Sequence, residues 1–345
     1  MNARALSRLD FGSADTGSAE RVFAALATAE DRISRLDERA RGCGFAEGWR
    51  RRSDVRAAIA AMAAEGDVVH PEDLLLHDLG SDIRIPDPAV IRARGILQAR
   101  RKAQQGGAEL LSWGGVAWLT GLARQTPPPG VRPSTRIEGA PPSSSGYDGL
   151  EIFFERLATG EAETPRAGVE ECLAVLDTQG APPLLMAAAL LEAWRLVDPL
   201  PKHRALGPLV AAIFLRAAGR FSAGLFPMEV AFRRRSIPPR LDWASLPDRM
   251  SFWLGQMELA ADLELDELTR LGHQKALIER KASGARRSNR GPELAALAVS
   301  EPVMTTESIA LALGITPQAS LQLVRRMGGC LHEITGRARY RVWRL

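Results

Sequence analysis

"EPVMTTESIALALGITPQASLQLVRRMGG" (residues 301–329) is where the chain is most legible. Thr305 is placed to cap a helix whose first turn carries Glu307, a carboxylate favoured at the positive end of the helix dipole. Ile309, Ala310 and Leu313 form its apolar side; Ala310 is small enough for a second helix to cross closely, and Gly314 supplies the turn. Thr316-Pro317 then opens the second helix with a cap and a proline at its first position, where the missing N–H costs nothing. The grammar is that of a helix-turn-helix.

On the second helix Ser320, Leu323, Val324 and Met327 share one face, which predicts their burial. Gln318, Gln322 and Arg325 fall opposite, with Arg326 flanking. Amides and guanidinium groups are the side chains that bond bidentately with adenine and guanine edges in a major groove. After Gly328-Gly329, "CLHEITGRARYRVWRL" predicts a β-hairpin turning at Thr335-Gly336-Arg337, with Tyr340, Val342 and Trp343 on its return strand. As a wing, this hairpin brings Arg337, Arg339 and Arg341 to phosphate, with Thr316 at the helix entrance.

Charge agrees with that reading. From Leu271 onward there are twelve Lys/Arg against five Asp/Glu, a net of +7, leaving 33 basic and 36 acidic residues, a net of −3, for the remainder. Cationic charge gathered at one end suits a polyanionic partner. The whole chain has 345 residues and 46% apolar content, enough for two or three domains with a sizeable core. Abundant alanine and leucine favour helices. Cys43, Cys172 and Cys330, odd in number and far apart, form no disulfide framework or zinc spacing and predict buried thiols in a reducing cytoplasm. No signal peptide is visible, and the longest apolar run, Leu206 to Leu215, is too short for a membrane span.

Periodicity and composition divide the chain into a loose arm (1–17), a helical region (18–124), a Pro/Ser/Gly-rich linker (125–147), a second helical domain (148–284) and the winged helix (285–345). Helices are expected over 19–42, 49–69, 88–105, 108–125, around "GVEECLAVLD" and "LLMAAALLEAW", over 206–219, and from about Asp248 to Lys281.

The tail, with "PVMTTESIALAL", "GITPQAS" and "HEITGRARYRVW", is similar to the winged-helix end of many Fic-type proteins. That resemblance draws attention to "LLEAWRLVDPLPKHRALGPLVAAIFLRAAG" (190–219), two apolar helices joined by a short polar loop. Fic enzymes carry there a motif of histidine, an acidic metal ligand, a glycine-rich turn and two arginines, for nucleotidyl transfer. Here Asp198 stands in place of the histidine, Lys202 of the acid, His203-Arg204-Ala205 of the turn, and Leu206 and Leu209 of the arginines. A carboxylate repels triphosphate, lysine does not hold magnesium, and a turn without glycine hinders backbone approach to phosphate. The motif is unmatched over 198–209, and the resemblance brings no catalytic residue, metal or cofactor. "AAMAAEG" (60–66) aligns with an inhibitory helix of some Fic proteins at Glu65 and Gly66 but not at Ala61, and Glu65 reads as an ordinary helix-end charge.

Residues 66–101, "GDVVHPEDLLLHDLGSDIRIPDPAVIRARGILQARR", together with the "GRARYRVW" ending, resemble a family of uncharacterised bacterial proteins, often plasmid-borne. That family pairs a helical domain of unknown function with a C-terminal helix-turn-helix, which implies the architecture and suggests DNA binding.

Three further groups compete for attention. His70, Glu72, Asp73, His77 and Asp78 are potential ligands in nine residues, but the apolar Leu74–Leu76 turn favours pairing and capping over a metal. Lys202, His203 and Arg204 precede a helix and form a possible anion-binding loop. The arginine runs at 50–52 and 233–235 read as solvated faces, while "RRSNR" (286–290) would extend a phosphate footprint. The sequence therefore predicts an all-α, Fic-like helical body ending in a winged helix with a small β-hairpin. The expected role is a cytoplasmic DNA-binding regulator without membrane contact, two copies of which would suit a palindromic site. The alternatives are a divergent nucleotide- or phosphate-handling transferase and a non-catalytic interaction protein.

Overall fold

The computed structural model describes residues 16–124, 144–159, 164–178, 180–234, 236–283, 290–336 and 341–345. Its centre is the pair α8 (Pro183–Val197) and α9 (Leu206–Ala217), in which every residue from Pro183 to Trp194 and from Leu206 to Leu215 is buried. A helix apolar on all sides belongs inside a core, and the other helices wrap this pair.

The longest is α10 (Leu246–Ser283), 38 residues or about 57 Å. Along it lies α1 (Thr16–Gly42), which buries Val22, Leu26, Ala29, Ile33, Leu36 and Ala40 at alternating four- and three-residue steps. That stripe faces chiefly α10, and at its margin Arg32 pairs with Asp262 of α10 at 3.4 Å. The helix α2 (Ala46–Ala64) crosses α4 (Pro88–Gln105) and ends at Gly66, whose φ of +90° suits glycine. Between them, α3 (Pro71–Asp78) docks Leu74 and Leu75 on a small cluster with Val55, Ile59 and Val90, and buries Leu76 beside them. The shorter α5 (Trp113–Thr120), α6 (Ser144–Thr159) and α7 (Pro165–Leu173) complete the body. Among the described residues no helix is long and apolar enough to cross a membrane.

Buried ion clusters pin the body. Arg100, fully buried, bonds Asp54 at 2.8 Å and Glu229 at 3.0 Å and donates to the Leu225 carbonyl at 3.1 Å. Burial pushes the Glu229 carboxyl above its ordinary value against the pull of Arg100. Glu192 accepts from Arg195 at 2.8 Å, Arg249 at 3.0 Å and the Trp253 indole at 2.9 Å. Burial alone would raise Glu192, but hydrogen bonds and charge from Arg195 and Arg249 hold it below its usual range. Such clusters fix geometry because removing one partner strands the others in low dielectric.

The tail comprises α11 (Gly291–Ser300), β1 (Met304–Thr305), α12 (Thr306–Leu313), α13 (Pro317–Arg326), β2 (His332–Glu333) and β3 (Val342–Arg344). Its three-stranded antiparallel sheet runs β1-β3-β2, with Met304 opposite Trp343 and Glu333 opposite Trp343 from the other side. The hairpin was expected; β1, a two-residue strand, has too little pattern to be read. This domain has its own core of Leu294, Ala298, Met304, Ile309, Leu313, Leu323, Val324, Met327 and Trp343, to which α10 contributes Ile278.

Several boundaries move. The arm ends earlier, since α1 starts at Thr16, and residues 144–147 of the expected linker form the first turn of α6, whose Leu150, Phe154 and Leu157 dock on the core. Residues 125–143 lie outside the described residues. The helix expected over 108–125 is only α5; Ser112 caps it by accepting from the Gly115 N–H, and Gly121 at φ +79° stops it. Burial of Cys172 and Cys330 agrees with the expected free thiols, and Cys43 is half-buried; burial pushes the Cys172 thiol up.

Candidate nucleic-acid interface

The helix-turn-helix is built as its sequence dictates, with one addition. Thr305 Oγ1 accepts from the Ser308 N–H at 2.9 Å and Ser308 Oγ accepts from the Thr305 N–H at 2.9 Å, a reciprocal capping box that starts α12. Gly314 turns the chain at φ +62°, and Thr316 Oγ1 accepts from the Ala319 N–H at 3.2 Å to start α13 behind Pro317. Ser320, fully buried, donates to the Thr306 carbonyl at 2.9 Å and so joins the two helices. Leu323, Val324 and Met327 are buried beside it, as expected.

The opposite face of α13 is open. Thr316, Gln318, Gln322, Arg325 and Arg326 are all exposed. No described carboxylate pairs with Arg325 or Arg326, whereas most other arginines of the body are bonded to acids. Beyond the helix, Glu333 accepts at its Oε1 from the Thr335 N–H at 2.8 Å, the Thr335 hydroxyl and the Gly336 N–H at 2.9 Å. This carboxylate shapes the hairpin turn, with Gly336 at φ +64°. Arg341 is half-buried at the base of the wing, and its carbonyl accepts from the Thr306 N–H at 3.3 Å. Arg337 and Arg339, and all of 286–290 except Arg290, lie outside the described residues.

The body holds this domain from behind. Arg52 donates to the carbonyl oxygens of Ala298 at 2.7 Å, Val299 at 2.5 Å and Glu301 at 2.6 Å, at the C-terminus of α11. The solvated face expected for 50–52 is thus corrected at Arg52, which is 8% exposed. Burial and the neighbouring Arg56 lower its pKa to about 10, so it stays charged at neutral pH. Gly48 lies against the Val299 carbonyl with no room for a Cβ. From α10, Lys281 donates to the carbonyls of Met327 (3.4 Å) and Gly328, at the end of α13. From α3, Glu72 meets Arg344 of the wing at 2.9 Å. Among the described residues these ties meet the α11 side, the strand end or the helix terminus, and none meets the exposed face of α13.

The other candidates are placed as follows. Glu72 pairs with Arg344, Asp73 with Arg84 at 3.5 Å, His77 with Asp82 at 3.0 Å, and Asp78 with Arg101 at 2.7 Å; among the described residues no three potential ligands converge for a metal. In the 198–206 loop, Asp198 ends α8 with φ +46° and its carboxylate takes Arg204 at 2.5 Å. Burial and Lys202 lower the His203 pKa. Of the three residues expected to bind an anion, then, only Lys202 remains a cation without an acidic partner among the described residues.

Sequence reasoning missed what this loop helps to enclose. A cavity of about 570 Å³ lies among the end of α2, the α8–α9 loop and α10, with Glu65, Arg92, Trp194, Asp198, Arg204 and Trp253 on its wall. Glu65, expected as an ordinary helix-end charge, stands on that wall one residue past α2. The convergence joins residues far apart in sequence, and only the arginines and acids of each segment gave a local sign of it.

Comparison with known proteins bears on both regions. Residues 291–345 match the family model described as HTH DNA binding domain. The tail is a helix-turn-helix DNA-binding domain. Residues 169–283, which include α8, α9 and α10, match the model described as a protein of unknown function (DUF1612). Across 360 aligned positions the chain is 29% identical to the uncharacterized protein y4cF of Sinorhizobium fredii (strain NBRC 101917 / NGR234), covering 90% of this chain and 93% of that protein. Among solved structures it is similar to a Fic family protein from Desulfovibrio desulfuricans G20, 15% identical, with a TM-score of 0.48 and 97% of each chain covered.

Proposed function

We propose that this protein is a sequence-specific DNA-binding regulator that reads the major groove with α13. Gln318, Gln322 and Arg325 take the base edges, while Thr316, Arg326 and Arg341 take phosphate, with Arg337 and Arg339 assigned to phosphate from their sequence positions alone. The observation that carries this reading is the open α13 face, whose arginines lack acidic partners among the described residues while the body grips the domain elsewhere. Two copies would place two such helices on a palindrome with half-sites one helical turn apart.

The test is selection of a binding site from random duplexes, followed by titration across a salt series. A good bidentate contact discriminates by about 1–3 kcal/mol, so Arg325→Ala is expected to lower affinity for the selected site about 5- to 150-fold and relax preference at one position. Arg326→Ala is expected to weaken all sequences alike and to reduce the log–log salt slope by about one. Failure to enrich any site, or an Arg325→Ala protein with unaltered preference, would overturn the reading.

A further inference from the structure

We propose that the 570 Å³ cavity is a binding site for a small organic ammonium compound, an amine carried on an aromatic or aliphatic body. Its volume lies within the range of pockets that enclose small molecules, roughly 300–1,000 Å³. The wall combines Trp194, Phe232 and Trp253 with Leu191 and Pro208, a predominantly apolar and aromatic lining.

The charges decide the sign of the ligand. Three guanidinium groups line the cavity, and each is already bonded to a carboxylate: Arg92 to Asp67, Arg204 to Asp198, and Arg195 to Glu192 and Asp242. A fourth lining acid, Glu229, is held by Arg100. That leaves Glu65, whose carboxylate has no hydrogen-bond or ion-pair partner among the described residues. Partial burial pushes it above its ordinary value, against the more distant pull of Arg92 and Arg204. An incoming anion would have to displace an existing carboxylate from its arginine. An ammonium group instead meets a free carboxylate beside aromatic rings, the two features that bind such cations.

The aromatic wall is held in place by close packing. Trp194 is 4% exposed, lines the cavity, and its indole N–H has no acceptor. Gly207 lies directly against this indole, where a Cβ would stand 2.7 Å from Trp194 Cδ1, so glycine is what lets the ring sit there.

The test is calorimetric titration of the full-length protein with 2-phenylethylamine and with benzyltrimethylammonium, compared with 2-phenylethanol, phenylacetate and magnesium-ATP. The cations are expected to bind at least tenfold more tightly than the neutral and anionic probes. Glu65→Gln, which keeps the shape of the side chain and removes its charge, is expected to weaken them about tenfold. Ile237→Trp, which narrows the mouth from an exposed wall position, is expected to abolish binding while circular dichroism stays unchanged. Equal binding of 2-phenylethanol, tighter binding of phenylacetate or ATP, no cation heat at millimolar concentration, or indifference to both substitutions would overturn the assignment. None of these readouts depends on DNA, so the regulator reading stands or falls separately.

Discussion

The Arg52 guanidinium, rooted in α2, donates to the Val299 carbonyl oxygen at 2.5 Å across 247 positions of sequence. A helix C-terminus is a partial negative charge with unpaired carbonyls, and a buried arginine can satisfy several of them at once. This contact sets where the DNA-binding domain sits on the body, because Arg52 reaches three carbonyls around the end of α11.

Removing the clamp therefore releases the domain. Arg52→Met is expected to cost about 2–4 kcal/mol, the scale of losing charge-assisted hydrogen bonds and leaving carbonyls unpaired. Gly48→Ala, which places a methyl against the Val299 carbonyl, is expected to act in the same direction. Urea unfolding gives the stability, and hydrogen exchange of the α11 amides locates the loss; unaltered α11 protection in both variants would contradict the clamp.

The Arg100 cluster has a pH signature. Arg100→Met strands Asp54 and Glu229 and is expected to cost about 3–5 kcal/mol at pH 7. Burial already raises Glu229, and without Arg100 to oppose it the carboxyl rises further. A carboxyl with its folded value above its unfolded one stabilises the fold below the unfolded value and loses that contribution as pH rises. The variant's deficit relative to the parent is thus expected to be smaller at pH 5 than at pH 8 in thermal melts. Equal deficits would place the charge elsewhere.

Ser320 tests the helix-turn-helix itself. Ser320→Ala removes the bond to the Thr306 carbonyl across the two helices and is expected to cost about 1 kcal/mol. Ser320→Leu, overpacking a fully buried position, is expected to cost more, about 1–3 kcal/mol. Both are read from denaturant midpoints, and the order reverses if the position has room.

Asp198 is the one non-glycine residue with positive φ among those described. Asp198→Gly removes left-handed strain but also the partly exposed Arg204 pair, worth about 0–1 kcal/mol. The two offset, and stability is expected to stay within about 0.5 kcal/mol. Asp198→Ala loses the pair and keeps the strain, a cost of about 1 kcal/mol. Melting temperatures of the pair of variants decide between the two effects.

The tail was legible because its signals are local. Caps at Thr305 and Thr316, the turn at Gly314 and the buried stripe of α13 each arise within a few residues, and all stand where the pattern places them. The heptad-like stripe of α1 and the all-apolar α8–α9 pair were equally plain. Arg52 was not, since its sequence neighbours Arg50 and Arg51 look identical to it, and only α11, far along the chain, makes one of the three a buried clamp. The cavity was hidden for the same reason, its carboxylates and rings coming from four separated segments.

Sequence alone determined most of the helices, their order and the chemistry displayed by α13, because hydrophobic period, capping and turn residues act over a few positions at a time. Tertiary structure decided which of many arginines are spent on buried carboxylates and carbonyls and which stay free. That choice rests on charge burial, which depends on what other segments bring within hydrogen-bonding distance, and no local pattern contains it.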